Sequence, residues 1–198
     1  CEIWVDQAEM PGGDGSSSAV VAAIDAAGIV AQAAPCKRLI VSEVTRVGDD
    51  ESWVEARPHK HTGLAVKYRL DYGANCPIGR ESIELKVNPK SFRQELATAR
   101  TFLLEDEANW LRSRGLGTRV TNQDLLIFGE NGLIDNTLRF ENECVRHKAL
   151  DLVGDLALAG CEIVGHVYAH RSGHRLNAEL VRALLRECRV EGGLRMTG

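Results

Sequence analysis

The segment from Asn142 to Ala159 constrains the fold of this chain more than any other stretch of its 198 residues. Apolar residues recur through almost its whole length, which predicts a helix packed against a hydrophobic core. In a helix, His147, Asp151 and Asp155 lie one turn apart and form a single polar stripe. A polar stripe on an otherwise buried helix faces either solvent or a cleft.

His147 and Asp151 have the spacing of two metal ligands on one helix face. Their Cβ atoms would lie about 6 Å apart, so that both side chains could converge on a zinc ion with bonds of about 2 Å. The alternative is a solvated stripe with an ordinary ion pair between positions i and i+4. A catalytic zinc site also requires a third protein ligand and an open position. The spacing alone leaves both interpretations open.

Three further side chains are candidates for catalysis, and each has an ordinary structural explanation. Asp155 could orient a histidine, or it could be a surface charge. His174, in the loop Ser172-Gly173-His174, has the position of a general acid or base, or of an exposed loop histidine. Thr101 ends a predicted helix, where its hydroxyl could stabilise an oxyanion or bond to its own backbone.

Composition excludes several classes of protein. A net charge of −4 leaves no basic surplus for neutralising phosphates, which argues against a nucleic-acid-binding protein. The longest apolar stretch, 19–34, is broken by Asp25, Gly28 and Gln32, so no transmembrane segment is expected. The chain begins at Cys1 without a signal peptide or an initiator Met, which predicts a fragment or a processed protein.

The cysteines favour a reducing compartment. None of the six forms a CxxC pair, so a structural cysteine–zinc site is not expected. Several lie in apolar patterns and are typical of small buried side chains. These features predict a cytoplasmic protein.

The order of elements predicts an α+β fold with a boundary near residue 88, which separates an α+β piece over 1–88 from a second one over 89–198. Periodicity and turn residues predict the individual elements. Strands are expected over 2–6, 39–41, 53–56, 64–70, 82–87, 124–129, 137–140 and 162–169, with those at 39–41, 53–56 and 64–70 antiparallel to one another, and helices over 17–27, 91–99, 105–114, 142–159 and from a cap at Asn177 to Cys188.

Several short motifs, in this order, resemble the second domain of the UDP-3-O-acyl-N-acetylglucosamine deacetylases, the zinc amidases of lipid A biosynthesis. The similarity covers nearly the whole chain and is strongest over 91–188. The loop Glu9-Met10-Pro11 with Asp14-Gly15-Ser16 resembles the first domain of the same family. The second-domain motifs are Ala99-Arg100-Thr101-Phe102, Ser113-Arg114-Gly115-Leu116-Gly117, Leu138-Arg139-Phe140, Arg146-His147-Lys148 with Asp151 and Gly154-Asp155-Leu156, and Ser172-Gly173-His174 with Leu176-Asn177.

This resemblance implies two domains, each a two-layer sandwich of helices on a small sheet, with a zinc site between them and the first domain truncated. It implies hydrolysis of the N-acyl amide of a UDP-acyl-aminosugar. Apart from the resemblance, the protein is expected to be a monomer. The resemblance also assigns roles to six residues: His147 and Asp151 as Zn²⁺ ligands, His174 as the general acid, Asp155 as the carboxylate that orients it, Lys148 as a binder of substrate charge, and Thr101 as the donor to the oxyanion.

The chain departs from the family pattern in three places. No Glu-His dipeptide, which supplies the third zinc ligand and the general base, exists in the 198 residues. Gly117 is followed by 118–122 rather than by a glycine-rich turn, and Asn75-Cys76-Pro77 lacks the usual His-Pro pair. The chain is therefore expected to be about the C-terminal two-thirds of such an enzyme, with weak zinc binding and impaired hydrolysis. A non-catalytic binding protein on the same scaffold and a zinc amidase for another N-acyl sugar remain the alternatives.

Overall fold

A computed structural model describes residues 3–6, 10–60, 62–117 and 120–192. The helices are α1 (Ser18–Ala27), α2 (Pro89–Ser91), which continues as a π-helical turn over Phe92–Leu96, α3 (Glu105–Ser113), α4 (Glu143–Ala157) and α5 (His174–Glu187). The strands are β1 (Arg38–Ile40), β2 (Thr45–Gly48), β3 (Trp53–Arg57), β4 (Leu64–Asp71), β5 (Arg80–Lys86), β6 (Phe102–Leu104), β7 (Leu126–Gly129), β8 (Gly132–Leu133), β9 (Glu162–His170) and β10 (Arg189–Glu191).

Strand β9 is the centre of the larger sheet. Along one edge it pairs first with β1 in parallel, through Leu39 and Ile163, and then with β3 antiparallel, through Arg57 and His166. Along the other edge it pairs in parallel with β4. The remaining strands extend the sheet outward, β5 from β4, β2 from β3 and β10 from β1.

Helices α4 and α5 form the second layer, packed on one face of this sheet. Their apolar faces and the inward side chains of the strands share one core. Leu152 and Leu156 of α4 and Leu180 and Leu184 of α5 are at most 1 % exposed. Their spacing of four residues is that of a buried helix stripe, as the apolar periodicity of both segments predicts. The α+β fold class is confirmed.

The strand pairing differs from the predicted one. Strands β1, β3 and β4 were expected to be antiparallel to one another, but each pairs with β9 instead. The sheet thereby joins strands from both sides of residue 88. Parallel pairing needs a long crossover, and short local patterns carry no information about such distant partners. The boundary at residue 88 stays a prediction.

Local predictions were correct for most elements and wrong for three. Helix α1 ends at Ala27 and is followed by Gly28, which has a φ of 82°. Residues 3–6 are not a strand, and residues 1 and 2 lie outside the described part of the chain. Residues 137–140 are not a strand either, because their backbone groups bond to side chains from elsewhere. Asn177 is not a cap, since α5 begins one turn earlier, at His174.

A smaller sheet lies beside this core. Strand β6 pairs in parallel with β7, and β7 forms a hairpin with β8 through the two turn residues Glu130 and Asn131. Helix α3 connects β6 to β7 and packs against both. Strand β6 begins directly after Thr101, so this sheet and the candidate site share one segment of chain.

Two observations concern membranes and thiols. Among the described residues, no helix combines the length and the apolar character needed to cross a bilayer. The five described cysteines, Cys36, Cys76, Cys144, Cys161 and Cys188, are all free thiols.

Substitution by alanine should have opposite effects at two glycines, Gly165 on β9 and Gly154 on α4. A Cβ at Gly165 would lie 2.7 Å from Val41 Cγ2 and 3.1 Å from the Arg57 carbonyl oxygen, whereas Gly154 on α4 has nothing within 4 Å. Gly165→Ala should lower the free energy of unfolding by about 1–3 kcal/mol through overpacking. Gly154→Ala should raise it by about 0.5–1 kcal/mol through helix propensity. Urea denaturation of both variants tests this, and effects of equal sign would contradict it.

Candidate active site

His147 lies on α4 with the geometry of a metal-binding imidazole. The residue is 5 % exposed, and its Nδ1 lies 3.2 Å from the Ala99 carbonyl oxygen. A carbonyl only accepts, so Nδ1 carries the proton and the lone pair is on Nε2. Burial lowers the pKa of His147, although the charge of Asp151 acts in the opposite direction. The imidazole is therefore held neutral, with its free nitrogen aimed away from the backbone.

Asp151 occupies the next turn of α4, beside that free nitrogen. Its Oδ1 is 3.5 Å from His147 Nε2, and its Oδ2 accepts a hydrogen bond of 2.9 Å from Lys148 Nζ. An imidazole nitrogen and a carboxylate oxygen on adjacent turns form a donor set that suits zinc. These two residues fit two ligand positions of a metal centre.

Thr101 Oγ1 approaches the same nitrogen from the segment that precedes β6. It lies 3.2 Å from His147 Nε2, and the hydroxyl donates because Nε2 is the unprotonated nitrogen. The approach depends on Gly15, whose backbone packs against this threonine. A Cβ at Gly15 would lie 1.8 Å from Thr101 Oγ1, and its φ of +75° favours glycine independently.

His174 and Asp155 form an acid–base pair at the beginning of α5. His174 Nδ1 is 2.9 Å from Asp155 Oδ2 and 3.1 Å from Oδ1, and the ring is 71 % exposed on its side-chain surface. The carboxylate fixes the proton on Nδ1 and leaves Nε2 for exchange with a ligand. This is the arrangement in which a carboxylate orients a catalytic imidazole.

Asp151 and the His174–Asp155 pair border one cavity. A space of about 410 Å³ is lined by Asp151 and Asp155 from α4, by His174 from α5 and by Gly15 from the loop before α1. Three segments that are distant in the sequence therefore border the same volume. Lys148 lies on the wall of a second cavity, of about 600 Å³, together with Arg80 and Arg171.

A buried ion pair between Arg100 and Glu143 links the segment before β6 to the first turn of α4. Arg100 is 4 % exposed and Glu143 is fully buried. Arg100 donates to Glu143 from its backbone N and from Nε and Nη2, at 2.9 to 3.1 Å. Its remaining hydrogen bonds go to Asn136 and to the Thr137 carbonyl. Since Ala99 and Thr101 flank Arg100, the pair sets the position of the Ala99 carbonyl and the Thr101 hydroxyl, which hydrogen-bond to His147.

Comparison with known proteins matches residues 1–186 to the family model described as UDP-3-O-acyl N-acetylglycosamine deacetylase. The chain belongs to this family. Proteins named UDP-3-O-acyl-N-acetylglucosamine deacetylase from Brucella ovis, Brucella canis and Brucella suis are each 39 % identical to it over 186 residues, 92 % of this chain and 64 % of theirs. The chain thus spans slightly less than two thirds of the length of these relatives.

Two features of the deacetylase family pattern are not observed in the described part of the chain. Over the described ranges, no group of three His, Cys, Asp or Glu side chains is arranged to hold a metal ion, so His147 and Asp151 stand as a pair. Glu9 of the first-domain motif, and residues 118 and 119 after Gly117, lie outside the described residues.

Sequence reasoning missed four residues that shape this site. Gly15 was seen only as part of a loop motif, and Asn177 was predicted to be a helix cap. Arg100 and Glu143 received no role, although a charged residue within an apolar helix pattern is a signal of buried pairing. The distance of 43 positions between them leaves the partner unidentified in the sequence.

The buried pair predicts a large loss of stability when Glu143 loses its charge. Glu143→Gln leaves the Arg100 guanidinium buried without a counter-ion, which should lower the free energy of unfolding by about 3–5 kcal/mol. The matched control is Glu179→Gln, which breaks the exposed Arg175–Glu179 pair on α5. This variant should change the free energy of unfolding by less than about 1 kcal/mol. Urea denaturation measures both variants, and losses of similar size would contradict a central role for the buried pair.

The same pair predicts a defined acid sensitivity. Burial acts to raise the pKa of Glu143, but hydrogen bonds from the Arg100 side chain and from the backbone of Arg139 and Arg100 lower it below its ordinary value of 4.5. Because the folded value is the lower one, this stabilisation is complete above about pH 4.5 and is lost as the pH falls through the folded value. The stability difference between the native chain and Glu143→Gln should therefore shrink in acid. A difference that stays constant from about pH 7 to about pH 3 would refute the assignment.

Proposed function

We propose that this chain carries the acid–base pair and two zinc ligands of an enzyme that hydrolyses the N-acyl amide of a UDP-3-O-acyl-N-acetylglucosamine. The observation that supports it most directly is the shared cavity of Asp151, which lies beside the Nε2 of His147, and His174, which is hydrogen-bonded to Asp155. Membership of the deacetylase family supports the substrate class. The names of these relatives refer to this acylated amino sugar.

The reaction replaces one bond at the acyl carbon by another. Water adds its oxygen to the acyl carbon, the bond from carbon to nitrogen breaks, and the products are a carboxylic acid and a free amine. An amine anion is a very poor leaving group, so a proton must reach the nitrogen as that bond breaks. The negative charge that develops on the acyl oxygen needs a hydrogen-bond donor or a cation beside it.

His147 and Asp151 would hold the zinc ion. A zinc ion supplies Lewis acidity, which polarises the acyl group and makes water acidic. The protonated Nδ1 of His147 is held by Ala99, and this contact orients Nε2 as a ligand nitrogen. Burial lowers the pKa of His147 and so removes the competing proton. A catalytic zinc takes three protein ligands, and these two account for two of them.

His174 would deliver the proton to the leaving nitrogen from Nε2. Asp155 accepts the hydrogen bond from Nδ1, which keeps the ring oriented and stabilises its cationic form. The hydroxyl of Thr101, beside the Nε2 of His147, would donate to the developing oxyanion. These roles use only donors and acceptors that already border the cavity or contact its residues.

The second cavity would bind the charged part of the substrate. Its lining holds three cationic side chains, Lys148, Arg80 and Arg171, against one carboxylate, Asp71, which pairs with Arg80 at 2.8 Å. The surplus of positive charge suits a nucleoside diphosphate. Arg171 has a φ of 49°, an unusual conformation for a residue other than glycine, and its backbone N–H bonds to the Arg69 carbonyl. Backbone strain of this kind is concentrated at binding sites. The free thiols of the described cysteines support a cytoplasmic setting for this reaction.

Metal analysis of the chain tests the ligand assignment. His147→Ala and Asp151→Ala should each weaken zinc binding by more than about 100-fold, because loss of an outer hydrogen-bond partner alone weakens it by about 10- to 100-fold. His170→Ala on β9 is the control and should leave zinc binding unchanged. Equilibrium dialysis followed by elemental analysis gives the affinity and the stoichiometry. Unchanged binding in both ligand variants would overturn the assignment.

Hydrolysis assays on the protein in its complete natural form distinguish the remaining possibilities. Release of a free amine from UDP-3-O-acyl-N-acetylglucosamine, with kcat reduced by about 10²- to 10⁴-fold in His174→Ala, would support the proposal. Preferential release from another acylated amino sugar would identify a different amidase on this fold. Binding of the nucleotide sugar without release would identify a non-catalytic binding protein, and the proposal would fail.

A further inference from the structure

Asn177 contacts the acid–base pair from the side opposite to solvent. It lies on α5 three residues after His174 and is 1 % exposed. Its Nδ2 is 2.9 Å from Asp155 Oδ2, the same oxygen that lies 2.9 Å from His174 Nδ1. Two donors from one helix thus converge on a single carboxylate oxygen.

We propose that Asn177 is a positioning residue, which holds the carboxylate of Asp155 in the orientation that keeps the proton of His174 on Nδ1. The inference rests on the proposed function, in which His174 Nε2 delivers a proton to the leaving amine. Asn177 is not one of the residues that line the cavity. It acts through Asp155 alone.

The direction of the hydrogen bond follows from chemistry. An ionised carboxylate only accepts, so the amide nitrogen of Asn177 faces Asp155. The backbone N–H of Asn177 donates to the Gly173 carbonyl at 3.0 Å, the first bond of the α5 ladder. Positions three residues apart share one helix face, so the backbone of α5 presents His174 and Asn177 to Asp155 together.

Asp155 needs such donors because of its place in α4. It lies in the last turn of that helix, where the C-terminal end of the helix dipole disfavours a negative charge. Its side chain is only 15 % exposed, so water satisfies it poorly. Fixed donors from the first turn of α5, where the dipole is positive, compensate both effects.

The second polar atom of Asn177 indicates that the residue is not there for packing. Its Oδ1 is buried without a hydrogen-bond partner among the described residues. A buried acceptor without a partner destabilises the fold, and a leucine of similar volume would avoid this loss. The donor to Asp155 accounts for an asparagine at this position.

Nitrogen NMR of the histidine rings in the ¹⁵N-labelled chain tests the proposal. In the native chain, His174 should show the tautomer with its proton on Nδ1. Asn177→Leu should abolish the dominance of this tautomer, as should Asp155→Ala. The two substitutions combined should have no greater effect than Asp155→Ala alone, since Asn177 acts only through that carboxylate.

A control variant separates positioning from stability. Leu180→Ala creates a cavity one turn further along α5, at a side chain that is 0 % exposed, and should destabilise the fold without changing the His174 tautomer. If Asn177→Leu leaves the Nδ1 tautomer intact while Asp155→Ala removes it, the proposal is wrong. This measurement needs neither zinc nor substrate, so its failure and a failure of the proposed deacetylase reaction are distinguishable.

Discussion

The ion pair between Arg100 and Glu143 is the interaction on which the candidate site depends. It joins three segments that are distant in the sequence: the chain entering β6, the loop of 136–139 and the first turn of α4. Glu143 is fully buried, and each of its oxygens accepts more than one hydrogen bond. A buried charge is tolerated only when it is paired and hydrogen-bonded in this way. The pair thereby holds the irregular loop of 136–139 in a fixed position against α4, the helix that carries His147.

The two reactive pairs are built by the same principle at different places. His147 is fixed by a backbone carbonyl and His174 by a carboxylate, so both rings carry a proton on Nδ1 and leave Nε2 for other partners. The first ring is buried, which keeps it neutral, and the second is exposed, where it can exchange a proton. One residue type therefore serves two distinct tasks because the surroundings differ.

The local sequence pattern was sufficient to predict most helices and strands and to identify the candidate residues on α4. The periodic apolar positions around His147 and Asp151 report on α4 itself, because neighbours at i+3 and i+4 meet within the helix. The local pattern gave wrong predictions where groups from distant parts of the sequence decide the conformation. The segment 137–140 has the composition of a strand, but the Arg100 and Glu143 side chains bind its backbone instead. The parallel pairing of β9 with β1 and β4 was missed because the partners are separated by long connections.

The sequence by itself determined the polar stripe of α4, the α+β content and, through the order of its motifs, the family. These depend on short-range spacing, which the helix and strand geometries convert directly into shared faces. Only the tertiary structure decided that Asp151 and His174 border one cavity, that Gly15 must lack a side chain beside Thr101, and that Asn177 supports Asp155. Those relations require the chain to return to the same point in space from distant positions. Packing of the whole core fixes them, and no local pattern encodes them.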